Sequence, residues 1–210
     1  MSFAQVYELS DYEKTAIYKE MAENFYEDDL YRTVFPNEIS RRRMVKYFFK
    51  HYLHAICPYC HFIADSKELN SVAIVYDSRL EVSWTYHVRL FFLNIKMIPM
   101  LLSLHSFASI WHVIKCWDMF TSRWVKEFVN HDHYHIDMMF TKGSMRGKGL
   151  ARHLMDVVCK DAKEHGMDVT METHHKDNLS LYESAGFKLM SVITHTNYDL
   201  KQYCLLIRND

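Results

Sequence analysis

All five glycines of this 210-residue chain, Gly143, Gly147, Gly149, Gly166 and Gly186, fall in its last third. The densest run is Thr141-Lys142-Gly143-Ser144-Met145-Arg146-Gly147-Lys148-Gly149-Leu150-Ala151. A glycine-rich turn that opens a helix leaves backbone N–H groups unpaired and directed outward, where the helix dipole also favours an anion. Arg146, Lys148 and Arg152 add positive charge. The chemistry these residues offer is phosphate or pyrophosphate binding. A P-loop is excluded, because Gly143 and Gly147 enclose three residues and Lys148 is followed by Gly149. The dinucleotide fingerprint fails at Arg152, where it requires glycine or alanine.

Titratable residues flank this turn. His135 and Asp137 stand two apart in the alternating segment before it, so on a strand they share one face. A histidine with a reference pKa of about 6.5 accepts a proton near neutrality. Glu172, at the end of the following strand, is the second candidate base, its plain alternative being a solvated strand-end charge. Cys57-Pro58-Tyr59-Cys60 has redox-dithiol spacing, and His51 and His54 precede it at three-residue steps. Three-residue steps drift around a helix and Pro58 ends it, so no metal site is expected there. Arg41-Arg42-Arg43 reads as a solvated helix face, and His131-Asp132-His133 as a loop entering a strand.

The elements that position these groups follow from periodicity. Phe3 to Leu9 predicts a strand, Asp11 to Phe25 and Asn37 to Ile56 two helices, and His61 to Ala64 with Val72 to Tyr76 a hairpin. Trp84 to Val129 is rich in Trp, Phe, Leu, Met and Ile without a clean period, and Pro99 is expected to divide it into two helical pieces. That stretch is either a buried helical pair or an apolar lid over a pocket. His133 to Phe140 then predicts a strand, Lys148 to Glu164 a helix stopped by Gly166, and Asp168 to Thr173 a strand. Asn178 to Ser184 predicts a short helix, and Phe187 to Thr194 with Tyr198 to Arg208 a final strand pair. The fold class is α/β with a mixed sheet, in one domain over residues 1–210, with a helical insertion at 80–130 shaping an acceptor pocket.

Composition narrows the class. With 49% hydrophobic residues, 25 basic against 26 acidic side chains and a formal net charge of -1, neither nucleic acid nor an anionic membrane is an expected partner. Five cysteines in a chain long enough to build a core predict reduced thiols, and no basic apolar leader opens the sequence, so a cytoplasmic protein is expected. A homodimer stays open.

The string Arg146-Gly147-Lys148-Gly149-Leu150-Ala151 matches the R/Q-x-x-G-x-G/A signature of the GCN5-related N-acetyltransferase (GNAT) superfamily. The later run Asn178-Leu179-Ser180-Leu181-Tyr182-Glu183-Ser184-Ala185-Gly186-Phe187 resembles the second hallmark of that family. The resemblance spans about His131 to Met190 and implies acetyl-CoA as acyl donor and a primary amine, of a small molecule, as acceptor. It implies a sheet whose fourth and fifth strands splay apart around the pantetheine arm. Met139, Phe140 and Thr141 would pair with that arm, residues 146–151 would cradle the pyrophosphate, and Asn178 would bond the donor or merely cap its helix. Tyr182 matches the family's general acid. His135 and Asp137 occupy positions where family members carry a base glutamate or paired histidines, and Glu172 is the runner-up. The alternatives are an acyl-CoA-binding module without catalysis and a thiol redox or metal protein using Cys57 and Cys60.

Overall fold

Two apolar runs, Cys60–Ala64 (β2) and Ser71–Asp77 (β3), form the hairpin that starts the main sheet of the computed structural model. The structure describes residues 3, 5–104, 106–195 and 197–209. Contacts divide the chain into two units, Met1–Ser10 with Tyr59–Leu80 and Ser122–Asp210, and Asp11–Pro58 with Glu81–Thr121.

The first unit holds a seven-stranded sheet. Its other strands are Tyr7–Glu8 (β1), His133–Thr141 (β4), Asp168–Thr173 (β5), Lys188–His195 (β6) and Leu200–Ile207 (β7), in spatial order β1-β2-β3-β4-β5-β7-β6. Among the described residues only β4 and β5 run parallel, and the other neighbours are antiparallel. The expected strand Phe3 to Leu9 shrinks to Tyr7–Glu8, the two residues that find ladder partners in Ile63 and Ala64. Leu150–Glu164 (α8) packs on β3, β4 and β5 through Leu154, Met155, Val158 and Ala162. Its end is a Schellman motif: Gly166 at φ +62° lets its own N–H reach Lys163 and the Met167 N–H reach Ala162. Helices Val125–Phe128 (α7) and Leu179–Ser184 (α9) complete this unit.

Helices Asp11–Ala16 (α1), Tyr18–Phe25 (α2), Asp29–Val34 (α3), Glu38–Ile56 (α4), Ser83–Leu102 (α5) and Phe107–Cys116 (α6) belong to the second unit. The expected helix Asp11 to Phe25 is interrupted at Ile17, after Thr15 turns its hydroxyl onto the Tyr12 carbonyl. Pro99 does not divide the next segment as expected. It lies in the last turn of α5, where its missing N–H removes a single hydrogen bond, and the chain turns only after Leu102. Arg41 is not solvated either: it is 5% exposed and pairs with Glu27 at 3.0 Å.

Candidate active site

Strand β4 carries one residue too many for its partner. Val75 of β3 stands opposite Ile136 and Ile74 opposite Met138, so Asp137 is bulged out of the β3–β4 ladder. A bulge bends its strand and sharpens the local twist. At the same residue β4 leaves β5: their pairing runs from His133/Asp168 to Ile136/Met171 and stops. Beyond it β5 continues against β7, and Met139, Phe140 and Thr141 keep β3 partners on one edge with no strand on the other among the described residues. The period-two argument that put Asp137 on the His135 face is interrupted by the bulge. The Asp137 carboxylate still acts on His135, favouring its charged form.

The splayed strand feeds the glycine turn. Lys142 ties it down, its N–H to the Asn70 carbonyl and its Nζ to the Glu68 carbonyl, both at 2.8 Å. After a single 3-10 turn over Gly143–Met145, Gly147 and Gly149 adopt φ +76° and +77°, the left-handed region that L side chains resist. A Cβ at either glycine would meet no protein atom within 4 Å, so the approach to the loop is open. The first α8 hydrogen bond runs from His153 N–H to Gly149 C=O, leaving the N–H groups of Leu150, Ala151 and Arg152 ahead of the helical ladder. Arg146 and Lys148 are exposed beside them. An open backbone cradle with two flanking cations fits a pyrophosphate. Arg152 does not join them, since it bonds Asp156 at 2.7 Å and Ser184 at 3.0 Å.

At the opposite end of β4 the charges are inside. His135 is 6% exposed. Its Nδ1 lies 2.9 Å from Thr170 Oγ1, which in turn lies 3.2 Å from the Tyr134 carbonyl. Its Nε2 faces Ser122 Oγ at 3.4 Å and Glu172 Oε2 at 3.6 Å. Glu172 is no solvated strand-end charge. Ser122 Oγ donates to its Oε1 at 2.5 Å and Trp124 Nε1 to its Oε2 at 2.6 Å. Burial pushes the His135 pKa down to about 4, and burial raises that of Glu172 against the pull of these two donors. Both groups are therefore driven toward their neutral forms.

Ser122 and Trp124 escape sequence reasoning because they follow the helical segment at no periodic position. A tryptophan whose N–H must find a partner was the one available signal. Tyr182 lies on α9, 8% exposed in the core cluster with Leu154, Val158 and Phe187. Asn178 precedes α9 without a side-chain capping bond, so the plain capping role is not realised. Burial pushes the Cys57 thiol up, opposite to a redox dithiol, and no His/Cys/Asp/Glu group suited to a metal occurs among the described residues. No helix among them is long and apolar enough to cross a membrane.

A strand that peels from its parallel neighbour into a glycine turn and helix is the arrangement of the GNAT fold. Residues 112–187 match the model of the acetyltransferase (GNAT) family, and the mixed α/β fold is the fold of GNAT acetyltransferases. A structure of histone acetyltransferase HPA2 and related acetyltransferase from Corynebacterium glutamicum is 15% identical, with a TM-score of 0.66 over 96% of this chain and 94% of that one. Arylalkylamine N-acetyltransferase 2 of Aedes aegypti is 12% identical, with a TM-score of 0.58 over 98% of both chains. The polyamine N-acetyltransferase of Drosophila melanogaster, which forms N-acetylagmatine, is 12% identical, with a TM-score of 0.58 over 97% and 98%. None of the curated proteins matches in sequence.

Proposed function

We propose that the protein transfers an acetyl group from acetyl-CoA to the primary amine of a small molecule by direct attack. The observation that carries this reading is the bulge at Asp137, which opens β4 from β5 and points the free strand edge into the glycine cradle. Met139, Phe140 and Thr141 offer that edge to the pantetheine amides. Residues 146–151 hold the pyrophosphate on N–H groups and two cations, and Asn178 offers an amide to the donor.

The donor supplies an acyl carbon already activated as a thioester. As the amine nitrogen bonds to that carbon it loses a proton, and the C–S bond then breaks with its electron pair on sulfur. Glu172 takes the amine proton, directly or through one water, from the fraction of the protein in which it is ionised, where burial makes it a stronger base than an exposed carboxylate. His135, neutral and held by Thr170, presents Nε2 behind it, while Asp137 supports positive charge on the ring. Tyr182 returns a proton to the leaving thiolate.

Calorimetric titration of acetyl-CoA into the wild type and Gly149→Glu tests the reading. Micromolar binding, lost in the variant, is expected. No binding at millimolar donor would overturn it. An unchanged amine-acetylation rate in Tyr182→Phe would remove the phenol from the mechanism.

A further inference from the structure

Helix α5 is apolar on two opposite sides. Leu93, Met97 and Met100 point inward and are buried. Trp84, Val88, Phe91, Ile95, Ile98 and Leu102 follow one another at steps of four, three, four, three and four. At about 100° per residue these six fall within ~40° of one line, on the side opposite Leu93. They form a coiled-coil seam, and it faces solvent: Trp84 is 72% exposed, Phe91 62% and Leu102 71%. A helix apolar on both sides is normally covered on both.

The seam matches itself. Read from either end its spacing is the same, so two copies laid antiparallel bring Trp84 against Leu102, Val88 against Ile98 and Phe91 against Ile95. Each contact sets a larger side chain against a smaller or similar one. The positions beside the seam, Thr85, Phe92 and Pro99 on one flank and His87, Asn94 and Leu101 on the other, include no acid, lysine or arginine. Self-pairing therefore meets no like-charge repulsion. A helix that lies on lipid instead carries a cationic rim. Here Arg89 reaches back to the His54 carbonyl of α4, and the Lys96 carbonyl accepts from Tyr47 of the same helix. The exposed fractions leave roughly 600 Å² along the seam, approaching the ~800 Å² per partner of a standard dimer.

We propose that α5 is a self-association surface on which two copies of this chain pair antiparallel about a twofold axis beside Phe91 and Ile95. Such an interface is isologous and closed, so association stops at the dimer.

Sedimentation velocity on the full chain from about 1 to 100 µM tests this, expecting a species of twice the chain mass. Ile95→Glu sets a carboxylate against the partner's aromatic ring and should weaken the dimer about 100-fold with an unchanged far-UV circular dichroism spectrum. Under mild oxidation the double variant Val88→Cys/Ile98→Cys should cross-link beyond the wild-type background, and Trp84→Cys alone, about 27 Å from its mate across the axis, should not. A wild-type monomer at 100 µM overturns the proposal, whether or not it binds phosphatidylcholine vesicles. So does a dimer indifferent to Ile95→Glu, and a cross-link in Trp84→Cys overturns the antiparallel arrangement.

Discussion

The two ends of β4 are built by opposite means. The glycine cradle after Thr141 is local: within ten residues, two positive-φ glycines and a helix start turn backbone groups outward. The cluster around His135 draws on Ser122, Trp124, Thr170 and Glu172, and its groups face each other across packed elements. The first sacrifices little stability if damaged, because nothing leans on it. The second joins proton chemistry to folding.

The sharpest break between the ends should come from two variants. Gly149→Glu should lower acetyl-CoA affinity at least about 100-fold by calorimetry while costing only about 1–2 kcal/mol of stability for the left-handed φ. Glu172→Ala should do the reverse, losing roughly 2–4 kcal/mol in urea unfolding, because it orphans the Trp124 N–H and Ser122 hydroxyl, with donor affinity nearly intact. A swap of the two outcomes would dissolve the distinction.

Stability against pH sharpens it further. Between pH 6.5 and about 4 the unfolded chain protonates His135 while the native state resists, so this residue alone makes stability rise with pH in that window. Glu172 alone acts the other way, since its native carboxyl keeps a proton above pH 4.5 that the unfolded chain has released. The two slopes oppose each other. Glu172→Gln should expose a positive slope of up to about 3 kcal/mol between pH 4 and 6.5, and His135→Gln a negative one. Slopes of the same sign in urea titrations across pH would contradict the pairing.

Smaller effects should separate the partners of Glu172. Trp124→Phe keeps most of the packing but removes a charge-assisted donor, and should cost about 1–2 kcal/mol by thermal denaturation. Ser122→Ala should cost about 1 kcal/mol and move the acid limb of the pH–rate profile upward, because one donor that favours the carboxylate is gone.

Legibility follows the same division. Residues 146–151 and 178–187 announce themselves because their geometry depends on neighbours in sequence, and Gly166 stops α8 where its spacing requires. The strand order around β4 and β5 was legible for the same reason, through the crossover helix between them. Asp137 was not, since a bulge is fixed by the residue count of the partner strand, which no single segment reveals. The environment of Glu172 was hidden likewise: nothing near it in sequence forecasts a tryptophan 48 positions earlier donating to its carboxylate. Helix α5 misled in another way. Its apolar content reads as core, yet half of it faces outward, and the four-three rhythm becomes visible only once Pro99 is kept inside one helix.

The bulge at Asp137 carries a last consequence, one of ancestry. Val75 against Ile136 and Ile74 against Met138 would both survive the loss of Asp137, leaving an unbroken ladder. The bulge thus stands one codon away from an unbroken β3–β4 ladder.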